Sequence, residues 1–160
     1  MYEWIVLLHI VGAFVFVLSH GASAWMAMLL RRERDRAKIS ALLELSTASI
    51  GGTYVGLLLL MIGGIWAGIY ANHFGRGWIW AAVAVLVVVI VVMYAVATPY
   101  FVRLRAAAGM ATRGSAPDPG LRVSDDELAA LAARAPVAVL LGVGLGGLLM
   151  ILWLMVLKPF

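Results

Sequence analysis

The chain contains no cysteine, which excludes disulfides, iron–sulfur clusters and thiolate metal sites. Charge is scarce: 12% of the 160 residues are Asp, Glu, Lys or Arg, against 64% hydrophobic. With only three histidines, two bis-histidine haem sites cannot coexist in one protomer. No P-loop, HExxH, nucleophile–base pair or paired carboxylates occur. These absences give no sign of a hydrolase and leave open whether any reaction is catalysed.

What the chain has is apolar length. Its mean hydropathy is +1.03, and a soluble domain of this size cannot cover that much apolar surface. The fold class is therefore all-α: an integral membrane four-helix transmembrane bundle in one domain. Its spans are expected at about 3–30, 41–70, 78–101 and 136–157, each at least as long as the ~20 residues a bilayer core requires. Ala22-Ser23-Ala24 resembles a signal-peptidase site. The long apolar run around it, Glu3 without a basic N-region, and the basic cluster that follows indicate a retained helix instead.

The polar stretches divide these spans. Arg31 to Lys38 holds five basic residues in eight and precedes a span whose first turns, about Ser40 onward, reach the headgroup layer. Pro99 is expected to kink or end the third span, with Arg103 and Arg105 directly after it. The loop 103–135 is broken by Gly114 to Gly120, and then Ser124-Asp125-Asp126-Glu127 matches a capping box. It opens a short helix, 124–134, expected to lie on the membrane surface.

Charge orients the bundle. Arg31, Arg32, Arg34, Arg36, Lys38, Arg103, Arg105, Arg113, Arg122 and Arg134 share one side, leaving Arg76 and Lys158 on the other. By the positive-inside rule the larger loops are cytoplasmic and both termini are outside, N-out and C-out. Tyr2, Trp4, Trp66, Tyr70, Phe74, Trp78, Trp80 and Trp153 form the outer aromatic belt, with Trp25, Tyr100 and Phe101 inside. The pI of 9.9 thus reads as topology signal and contact with anionic lipid headgroups, with no nucleic acid partner. Arg in place of Lys hints at a GC-rich bacterial genome, so the location expected is the bacterial cytoplasmic (inner) membrane.

The chemistry concentrates on the first span. An 11-residue step is three helical turns plus ~20°, so His9 and His20 project from nearly one line. Gly12, Ala13, Phe16, Ser23, Ala24 and Ala27 share that face; Leu7, Val11, Phe14, Leu18, Trp25 and Leu29 form the lipid-facing back. Counting ~1.5 Å per residue from the outer ends puts Gly63, Gly64, about Ala82 and about Leu152 level with His9. Thr53, Tyr54, Met93, Tyr94 and Leu141 to Gly144 fall level with His20.

An ionisable side chain in a span is a functional hypothesis by default. Imidazole is a common axial ligand of haem iron and Met thioether an alternative sixth ligand. His9 and His20 are therefore candidate iron ligands of haem b, with His73 able to close a site at His9 and Met93 one at His20. The plainer alternative has the imidazoles hydrogen-bonding across the bundle to Ser, Thr or Tyr while the glycines only pack helices. Eight methionines raise copper transport as a lesser alternative, but they are scattered rather than set at ligand spacing. Glu44 is expected to pair with Arg31, Arg32 or Lys38; its alternative is proton uptake.

Leu8-His9-Ile10-Val11-Gly12-Ala13, a second His on the same face and the Arg-rich turn resemble the first helix of small bacterial membrane proteins. These are grouped around the HemJ-type protoporphyrinogen oxidases and the copper-resistance D domain. The resemblance implies a four-helix layout and haem binding at His9, and more cautiously a haem protein than an oxidase. The function expected is a b-type haem protein in electron transfer or haem-linked redox chemistry, with a quinone or a redox protein as partner. The alternative is an accessory subunit of a larger membrane complex or homo-oligomer.

Overall fold

The computed structural model describes every residue but Arg113, one of the basic residues assigned above to the inner side. Helix α1 spans Tyr2–Leu30. A turn leads to α2, Arg36–Tyr70, where the Asp35 side chain accepts the Lys38 N–H and caps the helix. This cap starts α2 well before residue 41. A 3-10 turn, His73–Gly75, leads to α3, Gly77–Ala108. Then α4, Asp125–Ala132, opens with a complete capping box: Ser124 accepts from the Glu127 N–H, and the Glu127 carboxylate accepts from the Ser124 N–H. The fourth span comprises α5 (Val137–Val139), a π-helical turn (Leu140–Leu145) and α6 (Gly146–Leu157). Four helices are long and apolar enough to cross a membrane, and no strand occurs among the described residues.

One local expectation gives way to packing. Pro99 does not end α3; it lies inside the helix, which continues to Ala108 and stops at Gly109 with φ +80°. The missing proline N–H leaves one helical bond unmade. The extension beyond it is held because Leu104, Ala107 and Ala108 are buried against Leu30, Ile39, Leu43, Leu128 and Ala132. Residues 103–108 therefore belong to the helix rather than to the loop. The short helix α4 is anchored by the same cluster, with Leu128 and Ala132 fully buried and Asp125, Asp126 and Glu127 exposed.

The first hairpin, α1 with α2, is a glycine seam. A Cβ on Gly12 would strike the backbone of Leu59 and Leu60, one on Gly56 the backbone of Phe16, and one on Gly63 the backbone of His9. Without side chains there the backbones approach closely, and dispersion and polar contacts replace the hydrophobic drive that lipid cannot supply. The predicted back of α1 is exposed at Leu7, Val11, Phe14, Leu18, Trp25 and Leu29, while Gly12, Phe16, His20, Ala24 and Ala27 are buried.

The second hairpin, α3 with α6, packs Trp78, Ile79, Ala82 and Leu154 at the His73 end. Trp78 is thus buried rather than part of the aromatic belt. At the Arg-rich end two further clusters join both hairpins: Leu30, Ile39, Leu43, Leu104 and Leu128 in one, Ala24, Ala27, Val137 and Leu140 in the other.

Arginines bind backbone carbonyls there. Arg36 donates to the carbonyls of Ala107, Ala108 and Val123 and to Asp125 at 2.5 Å; Arg105 donates to Leu43 O, and Arg31 to Ala133 O. Tyr100 adds its hydroxyl to the Leu131 and Ala132 carbonyls at 3.0 and 3.2 Å. Arg36–Asp125 is the ion pair found among the described residues. Glu44 makes none with Arg31, Arg32 or Lys38; it stands exposed on α2, and the cation that feels its charge is Arg105.

Candidate functional site

Both histidines of α1 face inward, and each meets glycine. His9 lies half-buried against α2, where a Cβ on Gly64 would sit 2.9 Å from its ring. Its Nδ1 donates to the Leu60 carbonyl oxygen at 2.8 Å. A carbonyl only accepts, so this bond assigns the proton to Nδ1 and the lone pair to Nε2. The level matched by counting, Gly63 and Gly64, is the level observed.

His20 sits three turns deeper, 9% exposed, with its ring stacked on Phe16 at 6.1 Å between centroids. Its Nε2 is buried and has no hydrogen-bond partner. That nitrogen faces Gly144 in the π-helical turn, where a Cβ would collide with it and lie 3.2 Å from the Met93 methyl group. Met93 and Gly144 are again the residues placed at this depth by counting. The Ser23 hydroxyl, one turn further along α1, is likewise buried without a partner. The bond from His20 to a Ser or Thr across the bundle is not made: Thr47, Ser49 and Thr53 donate to carbonyls four residues earlier in their own helix.

One further feature was not legible beforehand. The π-helical turn at Leu140–Leu145 carries no distinctive side chain; its only signal is Gly142 and Gly144, where helix propensity is lowest. Ser23 shares the histidine face by helical period alone, and the packing adds that its hydroxyl is buried without a partner.

His73 does not join His9. No hydrogen bond or ring contact links them among the described residues; His73 packs edge-on against Trp78 at 5.6 Å, and Phe74 is the loop residue seated on α2, at Gly68.

The two histidines differ in what they admit. At His9 the donor chemistry suits an axial ligand, because a carbonyl on the far ring nitrogen orients and polarises the imidazole while Nε2 keeps its lone pair. At His20 not even one added carbon fits between Gly144 and Nε2, so a porphyrin does not fit there in this packing. Imidazole and thioether together remain donors for a soft metal ion. No group of three or more His, Asp or Glu that could hold a metal occurs among the described residues.

The chain matches the family model described as "Predicted integral membrane protein (DUF2269)" over residues 3–159, and it belongs to that family. No curated protein and no solved structure matches it.

Proposed function

We propose that this membrane protein binds b-type haem through His9 and passes electrons at the membrane, with a quinone or a redox protein as the exchange partner. The observation that carries the reading is the His9 Nδ1–H bond to the Leu60 carbonyl, which leaves Nε2 as a ligand nitrogen on a ring laid over glycine. The likeness of Leu8 to Ala13 to the first helix of HemJ-type proteins supports the same position. Bound haem supplies a one-electron couple set by its axial ligands and surroundings. The chain's own part is to hold the imidazole in one tautomer and to present small residues beside it.

A second reading is supported by the seam itself: His9 as an interhelical clasp and the glycines as packing surfaces, in an accessory subunit without cofactor. An absorption spectrum separates the two. Under the haem reading, detergent-purified protein shows a Soret band and a sharp reduced α-band. His9→Ala loses the pigment, while His20→Ala retains it. Pigment retained in His9→Ala overturns the assignment. A wild-type protein still colourless after haem supplementation leaves the accessory-subunit reading.

A further inference from the structure

We infer that the Arg-rich end of the first hairpin holds a site for one anionic phospholipid, its phosphate between Arg32 and Lys38 and an acyl chain along Leu29 and Leu45. The inference is independent of haem. Where α1 turns into α2 the surface carries a groove of about 370 Å³, lined by Leu29, Arg32, Glu33, Lys38, Leu42 and Leu45 among others.

The basic residues of this turn fall into two sets. Arg31 and Arg36 are tied to carbonyls of α3, α4 and their connections, so they hold the fold. Arg32 and Lys38 are exposed, and their side chains make no hydrogen bond or ion pair among the described residues. The groove's one carboxylate, Glu33, accepts the N–H groups of Arg34 and Asp35 at 2.9 and 3.1 Å and so is engaged with the turn itself. Two cations against one carboxylate, itself hydrogen-bonded to the turn and only weakly influenced by Lys38, leave the groove positive.

Its remaining walls are apolar, and they continue outward into lipid-facing surface: Leu29 lies one turn beyond Trp25, and both are exposed, as is Leu45. A site with cations at one end and an exposed apolar track at the other matches a phospholipid rather than a soluble anion. The positive-inside rule puts this end in the cytoplasmic leaflet, where anionic lipid is found.

The test is native mass spectrometry of the full chain in detergent with added phosphatidylglycerol or phosphatidylcholine at moderate ionic strength. Wild type retains phosphatidylglycerol in preference to phosphatidylcholine, and glycerol phosphate does not displace it. Arg32→Gln and Lys38→Gln each lower phosphatidylglycerol retention about fivefold, the effect of one basic residue at a membrane surface. Arg34→Gln removes the same charge from the same turn outside the groove and leaves retention within about twofold, since the exposed field there is screened by salt. Equal retention of the two lipids in wild type overturns the inference. So does an equal loss in Arg34→Gln, which is a diffuse field, or full retention in both groove variants. Displacement by glycerol phosphate also overturns it, as a site for the headgroup alone.

Discussion

Gly63 and His9 meet backbone to backbone: a Cβ at Gly63 would stand 2.7 Å from the His9 nitrogen and 2.9 Å from its Cα. Backbone atoms cannot swing aside, so Gly63→Ala must separate α1 from α2 and stretch the His9–Leu60 hydrogen bond. The expected cost is about 1–3 kcal/mol, the range for an overpacked contact. Gly21→Ala and Gly51→Ala, with nothing within 4 Å of the added carbon, are neutral or stabilising. Unfolding in mixed micelles ranks the three. A Gly63→Ala protein as stable as wild type removes the seam as the source of hairpin stability.

Gly144 and His20 give a second test. Gly144→Ala places a methyl group against His20 Nε2 and is expected to cost ~1–3 kcal/mol. Combining it with His20→Ala removes the obstacle, so the double variant loses less than the sum of the two single ones. Strict additivity in the same unfolding assay contradicts the contact.

Arg36 and Asp125 form an ion pair whose two members carry unequal weight. The Arg36 side chain is 17% exposed and serves three carbonyls besides Asp125, whose side chain is 72% exposed. Arg36→Ala leaves carbonyls at the end of α3 short of donors and is expected to cost about 1–3 kcal/mol. Asp125→Asn is expected to cost at most ~1 kcal/mol, as for a solvent-exposed pair. Arg36→Lys does not restore stability, because a single ammonium cannot span the same acceptors. Thermal melts of the purified variants decide the order.

Glu33 makes the α1–α2 turn sensitive to acid. The Asp35 and Arg34 N–H groups, with a smaller contribution from the charge of Lys38, hold its carboxyl below the ordinary value of 4.5. A depressed folded-state pKa means that its contribution is present above 4.5 and is lost as pH falls through the lower folded value. The Arg34 amide resonance is expected to titrate with a midpoint below 4.5, and Glu33→Gln to abolish that titration. A midpoint at or above 4.5 shows that the turn does not hold the carboxylate.

Hydropathy and helical period are properties of neighbouring residues, and what depends on them alone was legible in the chain. The four spans, the oily back of α1 and the inward line of His9 and His20 follow from them. So does the capping box at Ser124 and Glu127, whose partners are three residues apart. Counting depth along antiparallel helices also brought Gly63 to His9, and Gly144 with Met93 to His20, because a straight helix converts residue number into height.

What the tertiary structure decided is which polar atom meets which. His9 finds its acceptor 51 residues away, and Arg36 its carbonyls 71 and 72 residues away. No local pattern specifies such partners, since every peptide group offers the same carbonyl. Pro99 shows the same limit from the other side. The local rule stops a helix there, yet Leu104, Ala107 and Ala108 gain enough buried contact with three other helices to carry α3 past it. The π-helical turn that puts Gly144 against His20 is likewise a product of how the hairpins pack, as the sequence signals only weak helix at Gly142 and Gly144.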